Sequence, residues 1–269
     1  MADMHHYVTQ ISQIVSTGGE EDTIIRGHRL TELVRTRSFV ASIFLLLAAR
    51  LPTPGEERTL DALLTSSLDH GITPAAMIGR VFASYGTPVA QALAGAVLLN
   101  GDVAGGVGDS LAQLMHSALT EIQPAGGRPD EDTIGRAAQI VLAACLAGGS
   151  GRVPGFGNPP HKRDPRPASL LAVAETEGVA GAYCRLLIAI ERQLAAAKGK
   201  PVPANIDGVV AAVAMDLGLP QGCAAALVIL SRGFSVLTHH LEERAQQTRW
   251  RYVPQQYVTY IGPLPGDCE

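Results

Sequence analysis

The chain has 269 residues, a formal net charge of −4, 46% hydrophobic residues, 17% charged residues and only 4% aromatic ones. That length supports one large domain or two small ones, and the apolar content excludes an intrinsically disordered chain. The mixed, slightly acidic charge excludes a nucleic-acid binder that grips phosphates electrostatically.

Ala, Leu, Val and Ile dominate the apolar set, and Ala and Leu are strong helix formers, so a mainly helical protein is expected. The opening residues MADMHHYVTQ lack the cationic start and apolar run of a signal peptide, and His5-His6 carries no function. Phe39–Ala49, taken as the longest candidate span, falls short of the roughly 20 residues that cross a bilayer, so a soluble, cytoplasmic protein is expected. Cys145, Cys184, Cys223 and Cys268 lie far apart with no CxxC, which reads as structural thiols rather than disulfides or a zinc site.

In chain order, apolar runs at helical spacing predict helices over Ser38–Arg50, Glu56–Leu68, Ala75–Ser84, Val89–Leu99, Asp109–Glu121 and Asp130–Ala147. Leu170–Lys198 follows, interrupted by Gly178 and Gly181, and then Val209–Leu217 and Gln221–Arg244. Alternating strand patterns are scarce, so the expected fold class is all-α, with small residues letting many short helices pack closely. Three loops break this rhythm: Asn100–Ser110, Gly148–Arg166 and Lys198–Gly208, rich in Gly, Pro and polar residues. Binding residues concentrate in such loops.

Common motifs do not fit. Gly105-Gly106-Val107-Gly108 follows a helix rather than a strand and lacks the GxGxxG spacing, no GxxxxGK[ST] occurs, and Gly149-Ser150-Gly151 is not a GxSxG elbow. His239-His240 are adjacent on a helix, so their rings diverge, which suits surface or interface residues rather than a metal pair. Asp207, in Asn205-Ile206-Asp207 before an Ala/Val helix, reads equally as part of a helix cap and as a catalytic acid/base. His70, before Gly71, reads as a helix-end histidine satisfying a carbonyl.

Taken together the segments resemble the citrate synthase superfamily, in particular its short citryl-CoA lyase branch. Ile25-Arg26-Gly27-His28 with Leu30 and Leu33 is similar to the family's "RGY…L..L" opening, and Leu45–Pro54 to "YLLL.G.LPT". Leu68-Asp69-His70-Gly71 matches "DHG", Gly101–Val107 occupies the place of "G.LHGGA", and VPGFGNPPHKRDPR over Val153–Arg166 is similar to "VPGFGHP.HK..DPR". Lys198–Asp207 resembles "GK..P.NVD" and Ser231-Arg232-Gly233 resembles "SRALG".

The resemblance implies an almost all-α fold with a cleft between a large domain (1–107 and 218–269) and a small one (108–217). It implies a homodimer, chemistry on acyl-CoA thioesters, and no metal or permanently bound cofactor, coenzyme A entering as part of the substrate or product. Asp207 falls on the catalytic carboxylate and His70 on the histidine at the keto-acid end. Arg166 and Arg232 fall on carboxylate-binding arginines, for which a bidentate fork suits the ligand. Arg251 falls near the arginine that reaches into the partner's site. Val153, Gly155, Phe156 and Gly157 fall on the loop around the adenine of CoA, with Lys198, Lys200 and Arg163 placed to meet its phosphates.

Two positions depart from the pattern. Ala104 stands where synthases carry the histidine that polarises the thioester carbonyl, which lyases also lack. Asn158 stands where both branches carry a histidine; its amide donates a hydrogen bond but cannot shuttle a proton near neutral pH, and His161 is a substitute imidazole three residues on. The resulting expectation is an acyl-CoA carbon–carbon lyase acting on a substrate other than citryl-CoA. The alternatives are a condensing enzyme of the citrate synthase type, a CoA-binding homologue with impaired catalysis and a purely structural helical scaffold.

Overall fold

The computed structural model describes residues 7–17, 19–101, 107–123, 127–147, 151–157 and 164–264. In chain order they form β1 (Ser12–Thr17), β2 (Glu20–Ile25), β3 (His28–Arg29), α1 (Leu30–Thr36), α2 (Phe39–Ala48), α3 (Pro54–Ser67), α4 (Pro74–Ser84), α5 (Val89–Leu98), α6 (Val107–Ile122), α7 (Glu131–Ala147), α8 (Arg166–Thr176), α9 (Ala182–Lys198), α10 (Ile206–Asp216) and α11 (Cys223–Ala245). The protein is mostly helical, as its composition leads one to expect.

Local chemistry explains the helix starts. Ser38, Thr53 and Thr73 each accept the backbone N–H three residues on, and Thr53 with Glu56 completes a reciprocal capping box. Pro54 and Pro74 stand at the first helical positions, where a missing N–H costs nothing. Arg50 grips Glu56 at 2.6 Å and, with the Thr53 N–H, holds that carboxyl down at about 2.

Two expectations about elements are corrected. The run Leu170–Lys198 is not one interrupted helix: α8 ends at Thr176, and the Asp216 carboxylate accepts the N–H groups of Gly181, Tyr183 and Cys184 to start α9 afresh. The N-terminal segment also forms a small antiparallel sheet in the order β1-β2-β3, with Ser12 opposite Ile25 and Ile25 opposite His28. The described residues of β1 are mostly exposed on both faces, so the alternation that marks a half-buried strand is missing.

The contact pattern divides the chain into two compact units. One is Met1–Asp69 with Asn100–Ser231; the other is His70–Leu99 with Arg232–Glu269. In the larger unit the centre is α10, whose residues Ile206 and Gly208–Ala214 are all buried. It packs on α3, α6, α8 and α9. The larger unit's core adds Phe44, Leu60, Leu63, Leu111, Met115, Leu187 and Ile190, all essentially inaccessible. In the smaller unit Ala92, Ala96 and Val236 pack with Ile78, Phe82 and Leu93.

Helix α11 corrects two further expectations. At 23 residues and mean hydropathy 1.3 it is, by length and composition alone, apolar enough to cross a membrane, unlike the shorter run at Phe39. Its polar side chains are nevertheless spent on contacts inside the protein. Ser231 donates to the Leu64 carbonyl at 2.6 Å, and Glu243 is completely buried against arginines. His239 and His240 are not surface residues: His240 is buried, with Nε2 2.8 Å from the Thr87 carbonyl, and His239 Nδ1 accepts from Arg80 Nε at 3.1 Å.

Candidate active site

Asp207 sits in the first turn of α10, half-buried, on a helix whose neighbouring residues are otherwise buried and apolar or glycine. The two readings of this segment resolve at the cap: Asn205, not Asp207, is the N-cap, its Oδ1 accepting the Gly208 N–H at 3.1 Å. Asp207 is thus the second residue of the helix, where a carboxylate is favoured by the helix dipole and is not required for capping.

The glycine-rich segment Val153–Gly157 lies against this helix start. Asn205 N–H donates to the Gly155 carbonyl at 2.9 Å, Gly157 N–H donates to the Pro203 carbonyl at 2.8 Å, and Phe156 forms an isolated antiparallel bridge with Ala204. Val153 is buried in the core, so its side chain anchors the loop, while Phe156 and Gly157 are half-exposed. Gly155, at φ +77°, touches Gly208 so closely that an added Cβ would sit 2.7 Å from both Gly208 Cα and the Leu111 side chain. A Cβ on Gly208 would in turn fall on the Gly155 carbonyl oxygen. A valine at position 155 would therefore disturb packing as well as anything that seats on the loop.

Lys198 and Lys200 are both exposed at the end of α9 and just beyond its Gly199 cap. Lys198 Nζ lies near the head of the loop, 3.5 Å from where a Cβ on Gly151 would stand. No described contact brings Lys200 to the loop. Arg163, Asn158, His161 and Ala104 lie outside the described residues, as does Cys268.

Arg166 opens α8, and its fork is already engaged. Nη2 reaches Asp164 Oδ2 at 2.7 Å and Nε reaches Oδ1 at 3.0 Å, while Asp164 also accepts the Arg166 backbone N–H. Its Nη1 is buried with no hydrogen-bond partner among the described residues. Arg166 is thus oriented by its own neighbour.

In the smaller unit, His70 and Arg232 come together, Arg232 Nη1 lying 2.9 Å from His70 Nδ1. Guanidinium only donates, so Nδ1 accepts and the imidazole proton sits on Nε2. His70 therefore makes a contact with a side chain rather than serving as the last residue of α3, which ends at Ser67. Arg251 is held within its own chain: Nε and Nη2 fork onto Glu243 at 2.6 and 2.8 Å, and Arg80 Nη1 reaches the same carboxylate at 2.7 Å. Arg251, then Arg80, keep the Glu243 carboxyl down at about 2.

The thiols of Cys145, Cys184 and Cys223 are all free and all pushed up by burial, so none of them is an activated thiolate nucleophile. Sequence reasoning passed over Asn205 as a bridging residue, Asp164 as the partner of Arg166, and Gly208. The Asn and the Asp stood in view as a cap residue and part of Asp-Pro-Arg, but their partners are fixed only by folding.

Comparison with known proteins places this architecture. Residues 52–253 match the family described as citrate synthase, C-terminal domain. Proteins named "Putative citrate synthase 2" from Mycobacterium tuberculosis and Mycobacterium bovis are 27% identical over 228 residues, which is 81% of this chain and 55% of theirs. The chain thus spans about half the length of the curated relatives it matches. Among solved structures, citryl-CoA lyase from Hydrogenobacter thermophilus superposes with a TM-score of 0.81 and 28% identity, covering 96% of each chain. Citrate synthase from Thermoplasma acidophilum, solved with carboxymethyl coenzyme A and oxaloacetate, shares the fold at a TM-score of 0.64 and 22% identity, over 85% of this chain and 58% of that one. A fold match of this extent, together with a family match over most of the chain, carries one conclusion: the chain belongs to the citrate synthase family.

Proposed function

We propose that this protein is a carbon–carbon lyase acting on CoA thioesters, cleaving a β-hydroxyacyl-CoA into a shorter acyl-CoA and a keto acid, or, with water as the nucleophile, a β-oxoacyl-CoA into a shorter acyl-CoA and a carboxylic acid. The observation that carries this reading is the pairing of a half-buried carboxylate with a glycine loop at one helix start: Asp207 is relieved of capping by Asn205, and Gly155 packs on Gly208. Similarity to a citryl-CoA lyase over 96% of both chains supports the lyase direction.

In a retro-aldol step the β-hydroxyl gives its proton to water, the bond between the α- and β-carbons breaks, and the β-carbon becomes a ketone. The electron pair passes to the thioester as an enolate, which takes a proton at the α-carbon from the carboxylic acid form of Asp207, and the carboxylate left behind regains a proton from solvent. Hydrogen-bond donors aimed at the enolate oxygen lower its energy, and the family resemblance assigns the keto-acid end to His70 and Arg232. An amide at Asn158 donates to the hydroxyl or carbonyl oxygen without shuttling its proton, which favours a substrate other than citryl-CoA. Coenzyme A enters with the substrate, its adenine at Val153–Gly157 and its phosphates at Lys198.

The protein is further proposed to work in the cytoplasm as a homodimer. Exposed Trp250, Tyr252, Tyr257, Tyr260 and Ile261 near the C-terminus support a second copy as the occupant of that surface. Light scattering of the purified protein tests it, and a monomer at micromolar concentration overturns it.

Incubation with a panel of acyl-CoAs that includes citryl-CoA, followed by mass spectrometry, tests the activity. A shorter acyl-CoA and a matching keto acid are expected. The mycobacterial relatives named as citrate synthases favour a second reading, condensation; release of free CoA from acetyl-CoA and oxaloacetate would establish it in place of cleavage. Thermal stabilisation by CoA with turnover in neither direction would identify a CoA-binding homologue.

A further inference from the structure

An N-cap needs only a hydrogen-bond acceptor, and Asp or Ser serves about as well as Asn. Asn205 does more than cap. Its Oδ1 accepts the Gly208 N–H at 3.1 Å while its Nδ2 donates to the Gly157 carbonyl at 3.0 Å, and its backbone N–H holds the Gly155 carbonyl at 2.9 Å. One residue therefore bonds both the first turn of α10 and two carbonyls of the glycine loop. A carboxamide carries the acceptor and the donor that this requires on two separate atoms, one aimed at each element.

We propose that Asn205 is a positioning residue that locks the loop Val153–Gly157 in register with the first turn of α10, so that whatever seats on the loop is aligned with the Asp207 carboxylate. The proposal deepens the reading of this site as a CoA site and rests on it for the ligand, but the lock itself is a property of the folded chain. The close contact of Gly155 with Gly208 sets the distance between loop and helix, and the carboxamide sets their register.

Asn205→Asp separates the two duties, since it keeps the cap acceptor but replaces the donor to Gly157 with a carboxylate oxygen. Hydrogen–deuterium exchange on the full chain reads the lock directly at the Gly157 and Asn205 amides, which donate across it. In Asn205→Asp these amides are expected to exchange about tenfold faster, one hydrogen bond's worth, with a melting temperature close to the parent's. Free CoA should bind about tenfold more weakly by calorimetry, and kcat should fall along with the rise in KM. Asn205→Ala, which loses the cap as well, should lower the melting temperature in addition. Parent-like exchange at both amides in Asn205→Asp overturns the proposal. So does a melting temperature in Asn205→Asp as low as that of Asn205→Ala, because the carboxamide would then serve folding alone. If the parent protein binds no CoA, the reading of the site fails, while faster exchange in Asn205→Asp still upholds the lock.

Discussion

The carboxylate of Asp164 fills the guanidinium fork of Arg166, 2.7 Å from Nη2 and 3.0 Å from Nε, two residues away along the chain. Asp164 is almost fully buried and Arg166 mostly so, which leaves Arg166 held as an oriented cation whose buried Nη1 has no hydrogen-bond partner among the described residues. Arg166→Lys keeps the charge but loses the fork, and with it the orientation. Its kcat/KM on a carboxylate-bearing acyl-CoA is expected to fall by about tenfold or more, the scale of a lost charge-assisted hydrogen bond. Steady-state kinetics check this, and an unchanged kcat/KM would remove Arg166 from the site.

Asp207→Asn should leave stability nearly untouched, because the cap on α10 belongs to Asn205 and stays intact. Loss of a proton-transfer group should cut turnover by a factor on the order of 10² or more. Paired thermal melts and rate measurements decide the matter. An active variant would assign the proton to another residue.

The hydrogen bond from Arg232 to His70 leaves the imidazole proton on Nε2, facing away from the arginine. Nitrogen-15 NMR of the histidine rings near neutral pH should show His70 as the Nε2–H tautomer, and Arg232→Gln should mix the two tautomers. The same variant should raise KM for a keto acid by about tenfold or more, because a charged partner of its carboxylate is gone. A tautomer unmoved by the substitution would argue that Arg232 does not orient His70.

The Glu243 carboxyl holds Arg80 and Arg251 with no exposure of its own, and the two arginines keep it at about 2, below the ordinary 4.5. A folded-state value below the unfolded one gives stability that is present above about 4.5 and is lost as the pH falls toward 2. Acid titration followed by circular dichroism should show the smaller unit losing stability across that window. Glu243→Ala takes from Arg251 the carboxylate it forks onto and leaves Arg80 with Glu242 and His239, and should cost about 3 kcal/mol at pH 7 by denaturant unfolding.

Gly208→Ala should destabilise the protein by about 1–3 kcal/mol, since its methyl group meets the Gly155 carbonyl in a packed interior. Chemical denaturation gives the magnitude. A neutral substitution would mean that the loop yields easily and does not hold a fixed distance from α10.

What local chemistry determines was legible in the sequence. Apolar residues every three to four positions marked most of the helices to within a few residues of their ends, because helical periodicity and caps act over one or two turns. The order of the loop motifs pointed to the family, and Asp207 stood out at the start of an Ala/Val helix. The tertiary structure decided the rest. The small sheet escaped notice because its exposed strands carry no alternating pattern. Helix α10, buried nearly all round, binds segments far apart in sequence. Asn205 as the bridge, Asp164 in the Arg166 fork and Glu243 between Arg80 and Arg251 depend on which polar groups lose water together. That is a property of three-dimensional packing, in which a buried donor or acceptor must find its partner wherever the fold brings one, and no periodicity along the chain encodes it.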